Sequence, residues 1–262
     1  MTKMPLTFYK KPALVVYVTC GDPDLATTRA VVLAAIEAGA DVIELGVPFS
    51  DSVADGPVIQ RASERALKHG TTLVQVLTLA ADVRQHAQST GLVVFSYLNP
   101  ILRIGMEKFC LVARHAGVDG VLITDLPVEE AGEYLQGMKA HDLAPVFLAA
   151  PTSPDARLKR IAEASRGFVY AVSRTGVTGA RQQLASDAQK LVRRLRRVTK
   201  LPIAVGFGIS NAEQFAEVGE FADAVVVGSA IVETIERNRG CEAAAVGEFV
   251  GQLTAGSCAA PA

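Results

Sequence analysis

The sequence predicts an α/β protein of the (β/α)8 TIM barrel class with extra helices, a single domain over residues 1–262. Three observations lead there. Short apolar runs recur eight times between longer amphipathic stretches. Each run is rich in Val, Ile, Leu, Phe or Tyr without polar alternation, the pattern of strands covered on both faces and therefore paired in parallel. Nothing resembling a linker interrupts the series, and eight strand-helix units in about 250 residues are what such a barrel requires. A doubly wound open sheet is the other arrangement that this alternation allows.

The elements follow in order. The first strand is read over 13–19 and its helix over 25–38, with Gly39 where the helix ends. The second strand, 41–47, is followed by two helical segments, 58–68 and 72–87, with Gly70 between them. Strand 92–98 leads to helix 107–116 and Gly117, then strand 120–124 to helix 128–139. Strand 144–149 precedes helix 154–164, where Ser153 fits an N-cap and Pro154 the first helical position. Strand 168–173 precedes helix 185–198. Strand 202–207 precedes helix 211–218, with Ser210 and Glu213 as a capping box, and strand 223–228 precedes helix 230–238. The longest gaps, after the second and sixth strands, are where extra helices or functional loops belong.

Composition removes whole classes of function. Hydrophobic residues make up 50% and charged residues 20%, which excludes disorder for the bulk of the chain. Lys plus Arg (26) balance Asp plus Glu (27), so the basic footprint of a nucleic-acid binder is missing. No apolar run approaches the ~20 residues that cross a bilayer, and the N-terminus lacks a signal-peptide core, so a cytoplasmic location is expected. Cys20, Cys110, Cys241 and Cys258 lack metal-like spacing and read as reduced thiols without a role. His69, His86, His115 and His141 fall on outer helices or their ends, where neither a metal site nor a catalytic triad is expected. Arg193, Arg194, Arg196 and Arg197 read as a solvated helix face.

In a barrel of this type, chemistry sits at the C-terminal ends of the strands. Alternation along the second strand puts Val42, Glu44 and Gly46 on one face. If that face is the interior, desolvation raises the Glu44 pKa toward neutrality and makes a general acid-base group. A strand-end glutamate paired with a cation or reaching water is the bland alternative. The next loop adds Asp51 and Asp55. Asp51 reads as a residue shaping the loop, and Asp55 is the better functional candidate. The seventh and eighth strands end in Gly206-Phe-Gly-Ile-Ser210 and Gly228-Ser229, each opening a helix. Glycines there let backbone amides approach an anion, which suggests a phosphate site, although tight turns alone also use glycine. The segment 174–179 after the sixth strand reads as a lid that places Gly179 at the phosphate.

Taken together, these strings are similar to one family. Gly21-Asp-Pro23, Glu-Leu-Gly-Val-Pro-Phe-Ser-Asp (44–51), Ala-Asp-Gly-Pro (54–57), Asn99-Pro-Ile101, Asp-Leu-Pro-Val-Glu-Glu (125–130), Ser-Arg-Thr-Gly-Val-Thr-Gly (173–179), Gly-Phe-Gly-Ile-Ser (206–210) and Gly-Ser-Ala-Ile-Val (228–232) closely resemble the tryptophan synthase alpha chain. The likeness spans about residues 9 to 240, in the family's order and spacing. It implies a lyase without metal or other cofactor that splits indole-3-glycerol phosphate into indole and glyceraldehyde 3-phosphate by retro-aldol cleavage. In the family the residue at Glu44 is the acid-base group and that at Asp55 holds the indole nitrogen. Tyr17, Phe95, Tyr97, Leu126 and Phe207 map onto the indole-facing surface, Tyr170 lies near Glu44, and Thr178 is the lid partner of Asp55. Gly179, Gly208, Gly228 and Ser229 map onto the phosphate site.

The resemblance also implies a partner, the pyridoxal-phosphate beta chain of an alpha2-beta2 complex, faced by the loop that holds Asp51 and Asp55. Three positions depart from the family pattern. Ser52 stands where proline is usual and is expected to loosen that loop, Cys20 stands where alanine is common, and the segment before Phe8 is short, leaving Met4, Leu6 and Phe8 to cover the barrel floor. A stand-alone indole-releasing lyase and a non-catalytic activator of the partner are the competing readings. The first predicts turnover that ignores the beta chain. The second is opposed by intact Glu44 and Asp55.

Overall fold

A computed structural model describes residues 6, 8, 10–172, 181–206 and 208–255, with the backbone alone for 181–185. Its strands are β1 (Ala13–Thr19), β2 (Val42–Gly46), β3 (Gly91–Ser96), β4 (Gly120–Ile123), β5 (Ala144–Val146), β6 (Leu148–Ala149), β7 (Val169–Val172), β8 (Ile203–Gly206) and β9 (Ala224–Val227). All ladders are parallel, in the order β5-β4-β3-β2-β1-β9-β8-β7-β6. The two ends of that order are consecutive in the chain. β5 and β6 are one expected strand broken at Phe147, whose carbonyl accepts the Tyr170 N–H at 3.1 Å. Its first half pairs with β4 and its second with β7, so the sheet closes into a barrel. Pro145 has no N–H to give, which suits a strand that changes neighbours midway.

The helices are α1 (Leu25–Glu37), α2 (Pro57–Lys68), α3 (Leu73–His86), α4 (Leu98–Ile104), α5 (Met106–His115), α6 (Gly132–Ala140), α7 (Asp155–Ala164), α8 (Arg181–Arg196), α9 (Ala212–Gly219), α10 (Ser229–Arg237) and α11 (Glu242–Ala255). The outer ring is formed by α1, α3, α5, α6, α7, α8, α9 and α11, with α11 packed between α1 and α9. α2 and α10 instead pack on each other and on β1, and α4 is a short addition. Reading the chain did not foresee α4 or α11. At seven residues α4 is too short to show periodicity, and its start is held by another loop, with Leu98 N–H donating to Asp125 Oδ1 at 2.8 Å. α11 is an alanine-rich segment interrupted by Gly247 and Gly251, which blurs its pattern.

Three boundaries differ from expectation. α6 begins at Gly132, because Glu130 N–H turns back onto Pro127 O at 3.0 Å. Pro154 is the N-cap of α7 rather than its first residue, while Ser153 Oγ accepts the Ala150 N–H at 3.3 Å. The cap of α9 lies one residue later than Ser210 and Glu213. Asn211 accepts the Gln214 N–H at 2.9 Å, and the Gln214 side chain accepts the Ser210 N–H at 2.8 Å.

Alternation sorts the core into two shells. Leu14, Val16, Val18, Ile43 and Leu45 face the helices, whereas Val15, Val42, Val93, Leu122, Val146 and Tyr170 fill the barrel. Leu6 plugs the N-terminal end, in the space left by Gly91, Gly120 and Gly167, and Phe8 lies 5.5 Å from the ring of Phe168. The floor is thus closed by two of the three residues expected there; Met4 lies outside the described residues.

At this end each of three aspartates precedes a strand and accepts an N–H from its neighbour. Asp41 takes Leu14 N–H at 2.9 Å, Asp119 takes Leu92 N–H at 2.9 Å and Asp223 takes Ile203 N–H at 2.8 Å. Each is paired with a cation: Lys10 at 3.4 Å, Arg84 at 2.6 Å, and Lys11 at 3.2 Å together with Arg196. Two of the four clustered arginines therefore serve the scaffold instead of only facing water, since Arg194 also binds Asp155 and the carbonyls of Pro151 and Ser153. Among the described residues no helix is long and apolar enough to cross a membrane.

Candidate active site

The C-terminal ends of the strands open into a cavity of about 970 Å³. Glu44 lies in it, on the barrel-facing side of β2, between Tyr17 and Val93 in register. Its exposure is 0%, and among the described residues neither carboxyl oxygen has a hydrogen-bond partner. Burial alone pushes its pKa up to about 8. A buried ionised carboxylate without partners is costly, so the group holds its proton at neutral pH. Among the described residues no cation pairs with it.

Gly46, next on the same face, makes room for the Tyr17 phenol, which a Cβ there would overlap. On the other wall, a Cβ on Gly206 would approach the Tyr170 hydroxyl within 2.6 Å. Both tyrosines lie close enough to Glu44 to feel its charge, and burial raises both of their pKa values well above the ordinary one, so both remain neutral. Phe95 meets Tyr17 edge-on at 5.1 Å. Together with Leu126 these residues give the cavity an apolar, aromatic lining suited to an aromatic ring.

Asp55 comes from the loop between β2 and α2 and is half buried. Burial raises its pKa to about 6, and a hydrogen bond from Tyr97 opposes the rise. The loop is pinned by its own backbone. Ala54 N–H donates to Tyr97 Oη at 3.0 Å, Asp55 N–H to Ser52 O at 3.1 Å, and Gln60 Nε2 to Ser52 O at 3.2 Å. Ser52 is buried, and its carbonyl takes both of the last two bonds. Tyr97 was placed on the indole-facing wall by the sequence. Its hydroxyl accepts the Ala54 N–H and bonds the carboxyl of Asp55, which lines the cavity, while its ring packs on Phe49 at 5.1 Å. Asp51 is exposed; its carboxylate accepts the Ser50 hydroxyl at 2.7 Å and its carbonyl the Val53 N–H at 2.8 Å.

Across the mouth, Gly206, Gly208, Gly228 and Ser229 line the cavity. Gly208 has φ +75°, the left-handed region that favours glycine. The N-cap of α10 is Gly228, which brings no side chain to the first amides of the helix. N–H groups and a helix dipole left open in this way suit an anion. The amides of α9 differ, because Asn211 already caps them. Thr178, Gly179 and Phe207, named from the sequence, lie outside the described residues.

Residues without an assigned role also converge here. Leu148 continues the inward parity of Ala144 and Val146, a signal that alternation carries. Asp125 and Arg157 line the mouth, and no local pattern marks either one. Arg157 pairs with Glu129 at 3.1 Å.

A buried carboxyl, apolar walls, a second carboxylate and a helix terminus without a side-chain cap, all at the C-terminal end of a parallel barrel, are the features of a barrel enzyme. Comparison with known proteins makes the assignment particular. The profile of the tryptophan synthase alpha chain family matches residues 6–256. The alpha chain of Solibacter usitatus is 53% identical over 228 residues, 87% of this chain and 85% of that protein. The alpha chain of Methylococcus capsulatus is 49% identical, covering 90% of each. The tryptophan synthase complex of Pyrococcus furiosus superposes with a TM-score of 0.87 at 38% identity, covering 95% of this chain and 100% of that one. This chain belongs to the tryptophan synthase alpha chain family.

Proposed function

We propose that Glu44 and Asp55 carry the family's alpha reaction, the cleavage of indole-3-glycerol phosphate to indole and glyceraldehyde 3-phosphate. The observation that supports this best is the buried carboxyl of Glu44, which has no hydrogen-bond partner among the described residues. Protonated at neutral pH, Glu44 donates its proton to C3 of the indole and makes the ring an electron acceptor. The bond from C3 to the glycerol carbon then breaks, its electrons restoring the aromatic ring. The resulting Glu44 carboxylate takes the proton of the hydroxyl that becomes the aldehyde, which returns it to its starting state. Asp55, ionised above its pKa near 6, accepts the ring N–H and stabilises the positive charge developing on nitrogen. Each such group is worth about 10² to 10⁴ in rate. The α10 amides, Ser229 and the loop glycines hold the phosphate.

The family partner is a beta chain, with which this chain forms tryptophan synthase in the last steps of tryptophan biosynthesis, and a cytoplasmic setting suits that role. The deciding measurement is indole release from indole-3-glycerol phosphate by the full chain and by Glu44→Gln, each with and without a beta chain. Wild type is expected to release indole faster with the partner, and the variant to bind substrate without turning it over. Wild-type turnover by the variant overturns the mechanism, and a rate indifferent to the partner makes the chain a stand-alone lyase.

A further inference from the structure

The helix pair over the barrel mouth carries a charged cluster that the reaction does not use. Asp22, 1% exposed, lies just beyond the C-terminal end of β1. It accepts Arg65 Nε–H at 2.8 Å and Nη2–H at 2.7 Å. With its remaining nitrogen Arg65 of α2 donates to Glu236 Oε1 of α10 at 2.7 Å. Glu236 also accepts a fork from Arg61, four residues earlier on α2, at 3.2 and 2.9 Å. Arg239 approaches Asp22 at 3.6 Å from beyond α10. One guanidinium thus joins a strand end and two helices, with the planar fork geometry that lysine lacks.

The placement of these helices gives the cluster its meaning. α2 starts two residues after Asp55, and α10 starts at Ser229 of the phosphate cradle. On their inner side Val58, Ile59 and Ala62 of α2 and Val232 of α10 rest on Tyr17 and Phe95, which line the cavity with Glu44. The separation of α2 and α10 therefore sets the distance between the group that reads the ring nitrogen and the group that reads the phosphate, at opposite ends of one substrate. For a buried ion pair, desolvation largely cancels attraction, so its firmer effect is on geometry.

We infer that Arg65 is a positioning residue for the lyase reaction: by bridging Asp22 to Glu236 it holds the Asp55 loop and the α10 phosphate cradle at the spacing of a single bound substrate. The inference rests on the proposed function and is tested with the full chain. Arg65→Met, Arg65→Lys and Glu236→Gln are compared with wild type for melting temperature, for kcat and KM of indole release, and for competitive inhibition by inorganic phosphate, at a temperature where each is folded.

Arg65→Met is expected to raise KM about 10-fold and to weaken phosphate inhibition alongside it, with kcat reduced less than about 3-fold. Arg65→Lys should recover about half of the loss. Glu236→Gln, whose side chain is partly exposed, raises KM by about 3-fold and carries the test if Arg65→Met does not fold. Unchanged KM and phosphate inhibition in the folded variants, with lost activity tracking only lost folded protein, overturn the inference. Absence of indole release from wild type instead overturns the proposed function.

Discussion

The two ends of the barrel bury carboxyl groups in opposite ways. At the N-terminal end Asp41, Asp119 and Asp223 each receive a neighbouring strand's N–H and a cation. For Asp223, burial pushes the pKa upward, yet the Ile203 N–H, Arg196 and Lys11 bring it below the ordinary carboxylate range. At the C-terminal end Glu44 is buried more completely and receives no hydrogen bond from any described residue, so its pKa rises to about 8. One end uses its acids to hold strands in register. The other keeps an acid unsatisfied so that it can exchange a proton, and the scaffold bears the destabilisation.

The sharpest way to break this contrast is Glu44→Gln, which should lower kcat for indole release by about 10³-fold. The same variant should also be more stable. A carboxyl whose folded pKa is raised contributes its full stability below the unfolded value and loses it as pH climbs toward about 8. At ~1.4 kcal/mol per pKa unit the variant's advantage should reach a few kcal/mol at pH 8 and nearly vanish at pH 4.5. Thermal melts across that interval check it, and a gain independent of pH would mean that Glu44 does not titrate as described.

Asp55→Asn comes next, with kcat lower by about 10²-fold. In wild type, activity is lost as pH falls through about 6, where Asp55 takes up a proton, and again above about 8, where Glu44 loses the one it donates. Bound indole N–H draws the acid limb of kcat to 6 or below, and Asp55→Asn should erase that limb. Its survival would assign the ionisation elsewhere.

At the other end the expectation reverses. Asp119→Ala should cost about 3 kcal/mol of stability by stranding Arg84 and the Leu92 N–H, while kcat/KM of the folded protein stays within about 2-fold of wild type. A larger kinetic effect would show that the two ends are coupled. The smallest effect is that of Tyr97→Phe. Losing one hydrogen bond worth about 1 kcal/mol to the Asp55 loop should lower kcat/KM by about 5-fold. Kinetics identical to wild type would show that the Ser52 turn holds the loop unaided.

Much of this was legible along the chain, but unevenly. Val42, Glu44 and Gly46 share a face because strand side chains alternate, so Glu44 was identifiable from five residues of one strand. Gly228-Ser229 was recognisable because the junction of strand and helix is local. Asp125 was not: its oxygen serves the start of α4, 27 residues earlier. Nor was the bonding of the Tyr97 hydroxyl, which meets a loop 43 residues away. The break at Phe147 also lay beyond reach, because closing a circle requires one strand to serve two neighbours, which no run of apolar residues announces.

By itself the sequence determined the alternation, the parallel barrel, the carboxylates and glycines at the strand ends, and the family to which their spacing belongs, because each depends on residues near one another in the chain. Only the tertiary structure decided that Glu44 would find no hydrogen-bond partner among the described residues, that the Tyr97 hydroxyl would meet the Asp55 loop, and that Arg65 would tie α2 to α10. Whether a polar group is satisfied is a question about every atom around it in space, and distant segments supply those atoms.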